Sequence, residues 1–153
     1  MKSYKEWLTE ESLSDIPKND WAGRIVYHGT DRKSYEDILK RGIDMEKSSK
    51  GYFGKGFYTT PDEALAKSNY ADFTGEDEDD TVVIKLRVNP KARILDLRSE
   101  EGWDKYSKLG LGKDLNRDDL DKLMVRNGVD GLVDNSFEGL VMYNPKMISV
   151  VKD

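Results

Sequence analysis

A chain of 153 residues with a net charge of -5, 37% hydrophobic and 36% charged, has the length of one domain and clusters enough aromatic and β-branched residues to build a core. It has no cysteine, which removes disulfides, thiolate nucleophiles and cysteine zinc sites, and one histidine, His28, which removes multi-histidine metal centres. The acidic balance gives no general nucleic-acid footprint, and no run has the length of a membrane span or a signal-peptide core, so a soluble, cytoplasmic chain is expected.

Residues 1–22 read as a helical appendage to a domain over 23–153. Tyr4, Trp7 and Leu8 share one side of a short helix, Pro17 breaks it, and Trp7 and Trp21 pack the segment down. Residues 24–30 predict a strand. A helix over 31–41 follows, with Tyr35, Ile38 and Leu39 on one stripe and Gly42 as its stop. Residues 51–71 are the densest in information. Gly54 and Gly56 flank Lys55 before the short strand Phe57-Tyr58-Thr59-Thr60, and glycines so placed mark a close backbone approach or a bulge. Thr60 then has the look of an N-cap, with Pro61 at the first helical position and Glu63 completing a capping box, for a helix over 61–71.

The acidic loop over 75–80 lacks the alternation and central glycine of a calcium-binding loop and reads as solvated. Strands are expected over 81–88 and 93–97, and a helix from Ser99 bears Trp103 and Tyr106. A helix over 114–126 carries Leu115, Leu120, Leu123 and Met124. Short strands over 131–133, 137–143 and 147–151 close the chain, the last two separated by the turn Asn144-Pro145. Strands with helices grouped between them make the fold class α+β.

The glycine patterns match neither a dinucleotide fingerprint nor a P-loop, because the third glycine and the Lys-Ser/Thr pair are missing. His28 stands at a strand end before Gly29 and Thr30, where an imidazole and an open glycine backbone can face a cleft; a lone histidine is otherwise most often structural. Tyr58 and Tyr70 offer aromatic faces to a flat ring, or are ordinary core residues. Glu138 heads the apolar run 139–143, either as an edge residue or as a functional acid. By period two it shares a face with Leu140 and Met142 unless Gly139 marks a bulge.

Taken in order, Tyr27-His28-Gly29-Thr30, Gly54-Lys55-Gly56-Phe57-Tyr58 and Glu138 resemble the three-part signature of the ADP-ribosyltransferases of the diphtheria-toxin and poly(ADP-ribose) polymerase type. Lys67-Ser68-Asn69-Tyr70 is similar to a family element one residue longer, and the ending Met142-Tyr143-Asn144-Pro145-Lys146-Met147-Ile148 resembles the family's closing strand, turn and strand. The likeness spans about 24–151.

The resemblance implies a split β-sandwich with peripheral helices, holding NAD as co-substrate. It gives His28 a ribose contact and Gly29 the carboxamide, with Thr30 and Gly56 beside them. Tyr58 and Tyr70 would stack on nicotinamide with Ser68 as an amide partner. Glu138 would hold the ribose hydroxyl and stabilise the positive charge that develops as nicotinamide leaves. Counting back four residues from Tyr143, where the family keeps its acid, lands on Gly139. The likeness therefore needs a one-residue bulge to bring Glu138 into place, or a displaced acid, for which Asp130 and Asp134 are the understudies. The implied activity is mono-ADP-ribosylation of a macromolecular acceptor, a protein before a nucleic acid, by a toxin or phage effector acting on host machinery. The rival readings are a module on the same fold that binds NAD, ADP-ribose or a protein without turnover, and transfer to a nucleic acid.

Overall fold

The computed structural model describes residues 20–45, 50–51, 54–75, 77–110, 119–134 and 137–152, without the side chains of 50, 51, 54, 70–74, 78, 137 and 138. Trp7 and Leu115, and the expected helix start at 114, lie outside the described residues.

The chain runs β1 (Ile25–Thr30), α1 (Arg32–Arg41), β2 (Lys50–Gly51), β3 (Gly54–Lys55), β4 (Phe57–Thr59) and α2 (Glu63–Thr74). It continues through β5 (Val82–Val88), β6 (Ile94–Asp96), α3 (Glu100–Lys108), α4 (Leu120–Arg126), β7 (Gly131–Asp134), β8 (Phe137–Met142) and β9 (Ile148–Val150). This is a mixed α+β fold. One sheet has the order β1-β5-β9, the other β4-β8-β7-β6, and β2 and β3 form a separate ribbon. All pairs are antiparallel except β6 with β7, whose parallel pairing needs the long crossover that α3 and α4 supply.

Register explains which residues make the core. In the second sheet the row Ile94, Gly131, Met142, Phe57 and the row Asp96, Val133, Leu140, Thr59 alternate with the row Leu95, Leu132, Val141, Tyr58. Phe57, Ile94, Val133, Leu140 and Met142 pack against Val26, Ile84, Leu86, Val88 and Ile148 of the first sheet. Leu95, Leu132 and Val141 pack the other way, under Tyr106 of α3 and Leu120 and Met124 of α4. The second sheet is thus covered on both faces, which is why the run from Leu140 to Tyr143 is apolar without alternation.

Local chemistry sets the helix ends. Asp31 caps α1 through Ser34 N at 2.7 Å, and Gly42, at φ 81°, stops it. Tyr35 and Ile38 reach the core, whereas Leu39 stays 40% exposed, so the apolar stripe is narrower than expected. The α2 start differs from expectation. Thr60 forms an isolated antiparallel bridge just after β4, exchanging backbone hydrogen bonds with Tyr27, and the helix begins at Glu63 with Asp62 as its cap, Oδ1 taking Leu65 N at 3.2 Å. The Thr60 carbonyl, which an N-cap would give to the first helical N–H, is taken by Tyr27 N instead.

Trp21 is 3% exposed in the core, with the Arg24 guanidinium 4.7 Å and that of Arg98 5.7 Å from its ring centre, a cation–π clamp over the entry to β1. Ser99 caps α3, and Gly102, in its first turn, lies against the β6 backbone: a Cβ there would overlap the Asp96 carbonyl oxygen. Gly102→Ala is therefore expected to cost about 3 kcal/mol or more in urea unfolding, because the obstacle is backbone and cannot rotate away.

Candidate active site

The elements that carry the sequence signature meet. Strand β1 pairs with β5 through its length, and its outer edge joins the end of β4 at Tyr27 and Thr60. Strand β4 pairs with β8, Phe57 opposite Met142, Tyr58 opposite Val141 and Thr59 opposite Leu140. Helix α2, which carries Ser68 and Tyr70, packs against β1 and β5. His28, Tyr58, Ser68 and the strand of Glu138 therefore belong to one connected region.

His28 has two contacts that fix its ring. Its Nδ1 lies 2.6 Å from the Tyr58 carbonyl oxygen, and its ring stacks on Phe57 with centroids 4.0 Å apart and planes 25° from parallel. A carbonyl only accepts, so we assign the proton to Nδ1, which leaves Nε2 as a bare acceptor in the neutral ring. Burial pushes the imidazole pKa below 6.5, partly opposed by the bond to the Tyr58 carbonyl. The site consequently has a neutral histidine at pH 7, able to accept a hydrogen bond from a ligand hydroxyl.

It is the Tyr58 backbone, not the phenol, that touches His28. By register the Tyr58 side chain faces away from Phe57, toward the second core cluster, and is half-buried there. It shares that cluster with Tyr143, whose pKa is pushed well above 10.0 by burial and then by Tyr58, Tyr106 and Asp121 nearby. Tyr143 thus stays a neutral phenol at any working pH.

Gly29 and Thr30 are buried on β1, opposite Val83 and Val82. Gly56 is buried too, and a Cβ there would overlap Val141 Cγ1. Close approach is what this glycine serves, and the described neighbour it approaches is β8. Ser68 Oγ donates to the Leu65 carbonyl within α2 at 3.3 Å. Tyr70 lies on α2, with its side chain outside the described residues.

The acid region carries a register break. Val133 pairs with Leu140, but the next residue, Asp134, pairs with Phe137, so Glu138 and Gly139 of β8 have no partner on β7. The irregularity spans two residues where the sequence called for one. The Glu138 side chain lies outside the described residues. Of the two understudies, Asp134 is half-buried at the end of β7. Asp130 is engaged structurally: Oδ2 accepts from Arg93 N at 2.9 Å, Oδ1 accepts from Asn144 Nδ2 at 2.9 Å, and its carbonyl accepts from Tyr143 N at 2.8 Å. It holds the start of β7 to the closing turn. Among the described residues no group of three acidic or histidine side chains could hold a metal ion.

Sequence reasoning missed Phe57 and the role of Asp130. Phe57 precedes the signature tyrosine and read only as a strand former. The Asp130 clamp left one trace in the sequence, an aspartate just before a strand and an asparagine in the turn after its neighbour.

Two measurements check this geometry. Asp130→Ala orphans two donors and should lower stability by about 3 kcal/mol. For His28 the unfolded ring, at 6.5, binds a proton more readily than the native one, so its stabilising contribution is complete above pH 6.5. That contribution is lost as pH falls through the depressed native value. The stability difference between wild type and His28→Gln, from urea midpoints between pH 8 and pH 5, should shrink as pH falls. Comparison with protein-family models gives no match for this chain, and comparison with curated proteins gives none.

Proposed function

We propose that this chain is an NAD-dependent mono-ADP-ribosyltransferase on a split β-sandwich, acting on a macromolecular acceptor. The observation that carries the reading is the convergence of the three signature segments: β1 with His28 joined to β4, β4 paired with β8, and α2 laid on β1. Segments separated by up to about a hundred residues would have no reason to meet if each were an isolated coincidence of sequence.

The residues present suit such a donor in part. His28 Nε2 is an acceptor, which fits a ribose hydroxyl. Tyr58 on β4 and Tyr70 on the neighbouring helix α2 are the residues that the resemblance assigns to the leaving ring, although the Tyr58 ring packs in the second core cluster, on the face of β4 opposite the one His28 stacks on. NAD supplies a glycosidic bond to a good leaving group, nicotinamide. Glu138 favours its cleavage by holding negative charge where positive charge develops, an electrostatic contribution commonly worth ~10²–10³ in rate. His28 orients the ribose through a neutral hydrogen bond, and its neutrality avoids placing a like charge beside the electron-poor centre. Residues 1–22 and the acceptor's chemistry stand outside this reading.

Purified protein incubated with NAD should release nicotinamide. Glu138→Gln should reduce that release by at least about 100-fold while the Kd for NAD, from calorimetry, stays within about threefold. Saturable NAD binding with no release from the wild type would favour the non-catalytic module, and retained release in Glu138→Gln would remove Glu138 from the mechanism. Labelled NAD offered with protein, RNA and DNA acceptors in parallel identifies the acceptor class.

A further inference from the structure

Resting on that reading of Glu138, we infer that Thr59 is a positioning residue that fixes the register break in β8. Its hydroxyl donates to the Leu140 carbonyl at 2.9 Å in a buried setting, Thr59 being 2% and Leu140 0% exposed. Leu140 is the residue at which β8 is last paired on both sides, with Thr59 of β4 and Val133 of β7. The next two residues toward the N-terminus, Glu138 and Gly139, are unpaired on β7. Where Leu140 is pinned therefore decides where the unpaired dipeptide begins, and with it the position of Glu138 along β8.

Threonine suits this task. Its branched Cβ restricts χ1, so the hydroxyl is held in place before the bond forms. Water cannot substitute at this burial, and a buried hydroxyl or carbonyl left without a partner is costly. The residue after it extends the effect. Thr60 N donates to the Tyr27 carbonyl at 2.9 Å and its own carbonyl accepts from Tyr27 N at 2.7 Å. The dipeptide Thr59-Thr60 thus grips the His28 strand through backbone and the Glu138 strand through one side-chain hydroxyl. It sets the spacing between the two groups that the mechanism requires to face one substrate.

A threonine that only satisfied its own hydroxyl would affect stability and nothing else, so the test separates the two roles. Thr59→Val keeps the shape and removes the donor; Thr59→Ser keeps the donor. In Thr59→Val, kcat for nicotinamide release should fall at least about tenfold, since an ångström of misplacement can cost up to ~10²-fold. KM for NAD should stay within about twofold, and Thr59→Ser should return kcat to within about threefold of wild type. Independently of turnover, amide hydrogen exchange over the paired residues Leu140 to Met142 of β8 should accelerate at least about tenfold in Thr59→Val, relative to the β5 amides, and not in Thr59→Ser. Unchanged exchange from Leu140 to Met142 in Thr59→Val overturns the inference, as does an unchanged kcat in a variant of an active enzyme. Should the wild type release no nicotinamide, the NAD reading fails, while the exchange comparison still decides whether Thr59 holds the break.

Discussion

The two sheets are joined as backbone where β1 meets the end of β4, and the candidate site is built around that joint. Tyr27 and Thr60 exchange a pair of hydrogen bonds, 2.7 and 2.9 Å long, and on either side of them His28 reaches the Tyr58 carbonyl. A strand edge presents unpaired N–H and C=O groups that must find partners. Here the edge of β1 finds one in Thr60, the residue just after β4. The joint forces α2 to begin only after Thr60. It also sets the histidine tautomer, because the group that meets Nδ1 is a carbonyl oxygen. From the same corner the sheets diverge around the core that Phe57 shares with Val26 and Ile84.

Strand β8 is the second constraint. Its residues from Leu140 to Met142 are buried on both faces, so their positions follow from packing between two cores. Gly56 has no side chain because Val141 occupies that space, and the clamp from Asp130 to Asn144 holds the strand's far end in place. A strand so tightly held can accommodate a two-residue break at its other end without losing its register with β4. The break and the rigid part belong together: a loosely held strand would simply slip.

The site was partly legible in the chain. The strand that carries His28, the Tyr58 strand and the α2 helix behind it followed from strand and turn chemistry and from the order of the motifs, but His28, expected at a strand end, lies within β1, which continues through Gly29 and Thr30. Three particulars did not. The role of Gly56 depends on Val141, eighty-five positions away. Asp130 read as a spare acid because nothing local shows that Arg93 N and Asn144 will converge on it. The capping box at Thr60 was locally sound and was overridden, since two backbone hydrogen bonds to a buried strand outweigh a single side-chain cap.

The sequence by itself determined the α+β class, the strands of both sheets and most of the helices, the helix start at Ser99, and the stop at Gly42. These depend on neighbours a few residues apart, whose propensities and side-chain reach act within one turn or one strand. Only the tertiary structure decided which face Tyr58 takes, which nitrogen of His28 carries the proton, and where β8 leaves its register. Each of those is settled by a partner distant in sequence: the Tyr58 carbonyl for His28, Val141 for Tyr58 and Gly56, and β7 for Glu138. The information that selects them is spread over the packing of two sheets and is absent from any local window.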